Sequence, residues 1–184
     1  MGVREMYWRR AIRLGIAGVM LAGAIGQPAA AEENMRFHGT LVAEPCVIPP
    51  GEEEIQLDFG TIVDKYLYLN TRTHSQPFAL HLAECDLSLG NTVSITFSGT
   101  ENTKLPGLLA LDGGSSASGV GIGLETQEGK ALPLNSASEK FRLSAGSNMI
   151  NLQAYVKGEP EAIQNKSIGR GTFSAVTTFT LEYE

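Results

Sequence analysis

Apolar and polar residues alternate with a period of two through most of this chain, and nowhere more clearly than in residues 171–184, GTFSAVTTFTLEYE. Phe173, Ala175, Thr177, Phe179, Leu181 and Tyr183 fall on one face; Ser174, Thr178, Thr180, Glu182 and Glu184 fall on the other, with Val176 the one exception. This period is that of a strand buried on one side only. A strand of this kind needs a neighbour on each edge unless an edge is protected, and here the chain ends before a hairpin could return beside it.

The same alternation recurs upstream. It places Met35, Phe37, Gly39 and Leu41 on one face, then Ile55, Leu57 and Phe59, then Phe78, Leu80 and Leu82. Further on it selects Val93, Ile95 and Phe97; Val120, Ile122 and Leu124; and Ile150, Leu152, Ala154 and Val156. Segments rich in Gly, Pro, Asn and Ser separate these runs, as turns require. No long helical period competes, although EPEAIQNK has room for one turn of helix. The spacing predicts an all-β sandwich of about seven strands, with packing between two sheets accounting for nearly all the apolar positions.

Residues 1–31 read as a secretory signal peptide. Arg4, Arg9, Arg10 and Arg13 precede an apolar run over residues 14–25 that is too short to span a bilayer comfortably, and Ala29 and Ala31 fit a small-residue cleavage site. The segment holds four arginines and one glutamate, so cleavage after Ala31 takes the formal charge from −6 to about −9. An acidic chain of this kind is a poor partner for nucleic acid, whose binding runs on basic surface. The remainder, about 150 residues, is the size of one domain. In an oxidising compartment Cys46 and Cys85 are expected to form a disulfide, worth roughly 4 kcal/mol by loop entropy, rather than a reactive thiol beside His81.

The sequence holds no constellation for catalysis and implies no cofactor. His38, His74 and His81 lack metal spacing, the serines lie in turns outside any nucleophile elbow, and the glycines of GVGIG have the wrong spacing for a dinucleotide loop. Glu52, Glu53 and Glu54 follow Pro49, Pro50 and Gly51 and are expected to form a solvated loop.

Taken in order, FHGTLVAEPC, PFALHLAEC, FSGTENTKLPGLLAL and GVGIGLETQEGKALPLN, followed by a penultimate Tyr183 and a glycine fourteenth from the end, Gly171, resemble pilin subunits of the bacterial chaperone–usher route. Among these the chain looks most similar to the minor tip and adaptor subunits of P-type pili. The resemblance implies an incomplete immunoglobulin-like sandwich that lacks its last strand and is completed by donor-strand addition. It implies a non-enzymatic subunit of a surface fimbrium, exported through the periplasm, whose partners are a periplasmic chaperone, an outer-membrane usher and neighbouring pilins. Residues 32–44 would be a donor-strand extension running into the first strand, with Met35 and Phe37 as apolar knobs and Gly39 at the junction, and residues 45–184 the pilin domain. Gly171, Phe173, Ala175, Thr177, Phe179, Leu181 and Tyr183 would form the groove edge and the chaperone contact, with Glu184 supplying an anchored carboxylate.

One departure concerns the extension. Cleavage after Ala31 leaves only EENMR before Phe37, whereas cleavage after Ala24 would restore a longer arm containing Gly26. Two other functions compete with a structural subunit. A carbohydrate-binding tip adhesin would need a receptor domain for which the chain has no room, and its only tryptophan, Trp8, lies in the leader. An assembly terminator would accept a chaperone strand but resist exchange.

Overall fold

Two three-stranded antiparallel sheets face one another. The first has the order β1-β5-β3, built from β1 (Gln76–Cys85), β3 (Val120–Thr126) and β5 (Gly146–Gly158); the second has the order β4-β2-β6, from β2 (Thr92–Ser98), β4 (Phe141–Arg142) and β6 (Thr178–Tyr183). Of two short helices, α1 (Asp64–Asn70) precedes β1 and α2 (Pro160–Asn165) lies between β5 and β6. The computed structural model describes residues 39, 41 and 43–184, of which Leu41–Glu184 forms one compact unit. Residues 1–31, expected to be a signal peptide, and Met35 and Phe37 lie outside the described residues, and Gly39 is an exposed position.

The alternation predicts the core well. Leu80 and Leu82 from β1, Val93, Ile95 and Phe97 from β2, and Ile150, Leu152, Ala154 and Val156 from β5 are all buried. Phe78 and Phe97 meet edge to face across the two sheets with ring centroids 6.5 Å apart, a favoured aromatic geometry. Cys85 breaks the parity of β1. The register slips between Leu82 and Cys85, with Glu84 at φ 53°, and this bulge turns Cys85 inward to its disulfide partner Cys46.

On the outer face of the first sheet, Gly123 lies under the Tyr155 ring. A Cβ at Gly123 would sit 2.2 Å from Tyr155 Cζ, so only glycine admits that ring. The glycines of GVGIG therefore serve strand packing.

Three expectations need correction. Five of the seven expected runs form strands among the described residues; the run over residues 35–43 lies mostly outside them, residues 55–63 form no ladder, and the short β4 was not foreseen. Leu57, Phe59 and Ile62 are half-buried, the parity changing across Gly60 at φ 61°, yet no strand pairs beside them. Alternation fixes which face is buried and says nothing about a partner. Helix α1 also went unforeseen: DKYLYLN is too short to display a helical period, and it buries Leu67 alone.

Candidate strand-accepting groove

Among the described residues, β6 is an edge strand. Glu184 and Thr92 exchange N–H to C=O bonds at 3.0 Å in both directions, so in this antiparallel ladder the even residues 178, 180 and 182 also bond to β2. The N–H and C=O groups of Phe179, Leu181 and Tyr183 therefore point to the other, open edge, while their side chains are half-buried. The pattern continues backward through residues 171–177. Thr172 and Ser174 offer their carbonyls to Ser116 and Asp112 at 2.8 Å, and Thr177 Oγ1 donates to the Ser98 carbonyl at 2.9 Å. Phe173, Ala175 and Thr177 are half-buried with every even residue exposed. All six odd residues expected at the groove edge thus share one side.

Gly171 makes the start of this wall possible. Its φ is 148°, and a Cβ there would come within 2.5 Å of Ser116 Cβ.

The opposite wall is residues 53–59. Phe59 approaches Phe173 with ring centroids 6.2 Å apart, but among the described residues no backbone hydrogen bond joins the two walls. Between them lies a cavity of about 450 Å³ floored by Phe78, Phe97, Leu109, Ile122, Leu124 and Ala154. Past Phe173 a second cavity of about 200 Å³ opens among Ile62, Leu67, Val120, Val156 and Ile168. Arg170 binds Asp64 there at 2.7 Å, joining α1 to the chain just before Gly171. The guanidinium's hydrogen bond holds the Asp64 carboxyl below its usual pKa.

At the far end, burial pushes the Tyr183 hydroxyl up, with the Glu44 charge adding to the effect. The Glu184 carbonyl oxygen accepts N–H bonds from Asn91 and Thr92, and its side chain contacts Lys140. The Cys46–Cys85 disulfide and the pairing of Val47 with Ala83 fasten the chain leading into residues 53–59 onto β1. His81 bridges Glu52 and Ser147, at 2.9 Å each, and so ties the same loop to both β1 and β5. The exposed Glu52–Glu54 loop matches its expectation.

The expected site named one wall only. Leu57 and Phe59 of the second wall, and the floor residues, were read as ordinary core; the signal that could have found them was the alternating run of residues 55–59 with no hairpin partner.

The family model described as fimbrial protein matches residues 35–184. The chain belongs to the fimbrial protein family. This fimbrial subunit is 32% identical to the uncharacterized fimbrial-like protein YfcP of Escherichia coli strain K12, over 90% of its own length and 93% of that protein. It is 28% identical to the fimbrial adapter PapK of Escherichia coli, over 90% and 96% of the two chains. The P pilus rod subunit PapA, at 24% identity, superposes with a TM-score of 0.66 over 77% of this chain and 100% of that one. The fold is thus the incomplete immunoglobulin-like sandwich of chaperone–usher pilins, and the family is one of structural, non-enzymatic subunits of surface fibres.

Proposed function

We propose that this fimbrial subunit is a minor component of the tip or adaptor type that assembles by donor-strand exchange. In the periplasm a chaperone strand occupies the groove and contacts residues 171–183, with the Glu184 carboxylate anchored by the chaperone. At the outer-membrane usher, the N-terminal extension of a neighbouring subunit replaces it. The chain's own residues 32–44, with Met35, Phe37 and Gly39, enter the groove of the next subunit.

The observation that carries this reading is the free backbone edge of β6 beside an open apolar cavity. An added strand would satisfy the edge and fill the cavity together. Each inserted apolar side chain contributes roughly 1.5 to 3 kcal/mol, so a few in register make the joint long-lived. Similarity to an adaptor subunit favours the minor position.

Thermal unfolding of the oxidised chain, with and without a peptide copied from the N-terminal extension of a related subunit, tests the reading. Peptide at about 100 times its Kd adds about 2.7 kcal/mol, a rise in Tm of roughly 5 to 10 °C. A high transition unchanged by any peptide would mean that the sandwich completes itself. Immunogold counting of one or a few copies per fibre separates a minor subunit from a rod subunit.

A further inference from the structure

The groove's apolar floor and the unpaired edge of β6 call for an extended strand, and the charge of its two walls decides which strand. Residues 43–64 and residues 171–184 contain no Lys, Arg or His. Two cationic contacts lie at the margins, Arg170 on Asp64 and Lys140 on Glu184, and the His81 ring bonds to Glu52. Along the walls themselves, Glu53 accepts the Gly51 N–H, Glu54 the Gln56 amide and Asp58 the Gly60 N–H, all neutral donors that leave the negative charge in place.

The geometry of alternation puts these charges where an occupant would meet them. On one wall Leu57 and Phe59 are half-buried while Glu54 and Asp58 are exposed; on the other, Leu181 and Tyr183 are half-buried while Glu182 is exposed. A strand lying between the walls sends alternate side chains into the cavity and the remainder outward, beside Glu54, Asp58 and Glu182. Glu54 and Asp58 are four residues apart, about 13 Å in extended chain. Cations at outward positions of the occupant pair with them; carboxylates there are repelled.

We propose that the groove selects a strand from another protein whose outward positions carry Lys or Arg between its apolar knobs, and that it prefers such a strand to one from a second copy of this chain. With Met35 and Phe37 pointing inward, the chain's own residues 32–42 turn Glu32 and Arg36 outward, charges that cancel and offer these walls no net cation. The inference rests on the strand-accepting reading above and goes beyond it by specifying the partner's chemistry.

The test uses the oxidised chain, isolated from the periplasm, and four peptides: three with identical alternating Val, Ile and Phe knobs and outward Lys, Gln or Glu, and one copied from residues 32–42. At low salt the Lys peptide is expected to bind about tenfold more tightly than the Gln peptide and the self-copy, with the Glu peptide weaker than all three; high salt narrows the spread. The triple variant E54Q/D58N/E182Q, confined to exposed side chains, brings the Lys and Glu peptides to the affinity of the Gln peptide. Equal, salt-independent binding of the Lys, Gln and Glu peptides overturns the charge selection and leaves the groove reading standing. Failure of every peptide to bind overturns both.

Discussion

Arg72 grips Glu125 through two guanidinium nitrogens, at 2.9 and 3.0 Å, across a sequence separation of 53 residues. Ser75 adds a hydrogen bond to the same carboxylate, and the guanidinium lies 3.9 Å from the centre of the Tyr155 ring. The Glu125 side chain is only 5% exposed. This clamp closes the outer face of the first sheet over Gly123 and holds β3 and β5, whose inner residues Ile122, Leu124 and Ala154 floor the groove.

Glu125→Gln is therefore expected to destabilise the chain by about 1 to 3 kcal/mol, less than a fully buried pair would lose because Arg72 reaches solvent. Burial opposes the Glu125 charge, but hydrogen bonds from Arg72 and Ser75 outweigh it and hold the carboxyl below its usual pKa. A lowered carboxyl contributes stability above its unfolded pKa, and the contribution is lost as pH falls through the folded pKa. Urea denaturation as a function of pH, followed below about pH 4.5, should show a shallower acid loss in the variant than in the parent.

Replacing Gly171 by Ala forces a Cβ against Ser116 at a backbone angle that side chains disfavour. The expected cost is about 1 to 3 kcal/mol. Because the Ser116 and Ala117 N–H groups bond to the Thr172 carbonyl, the damage should fall on the wall. Hydrogen exchange would then rise at Ser116 and Ala117 before it rises in β5.

Ala175→Leu places three extra carbons over the open cavity rather than in packed core. The isolated chain should keep or slightly gain stability, by up to about 1 kcal/mol, since area is covered without overpacking. Affinity for a donor peptide should fall by an order of magnitude or more. An unchanged peptide-induced rise in Tm would place the occupant elsewhere.

Converting both Cys46 and Cys85 to Ala should lower stability by about 2 to 4 kcal/mol. The loss has a local component, because the bridge fastens the approach to residues 53–59. Protease cleavage within residues 49–61 should appear in the double variant at concentrations that leave the parent intact.

Much of this architecture was legible in the alternation. Every buried position read from β1, β2, β3 and β5 faces the core, and residues 172–184 keep strict alternation of exposed and half-buried residues in the folded chain. The disulfide was legible too, since an exported chain with two cysteines has one way to pair them. The second wall was not: residues 55–63 alternate as a strand does, and only the placement of neighbours shows that no ladder forms there.

The sequence by itself determined which face of each strand is buried, because side-chain parity along an extended backbone is a local property. It also determined the family, through residues kept in order along the chain. Tertiary structure alone decided that, among the described residues, β6 bonds to β2 on one side and is open on the other, that Phe59 meets Phe173 at the cavity, and that Glu54 and Asp58 stand exposed along one wall and Glu182 on the strand of the other. Those relations join residues 80 or more positions apart, and no local periodicity encodes the distance between two strands. The open edge is the absence of a partner among the described residues, and it becomes visible only once their partners have been placed.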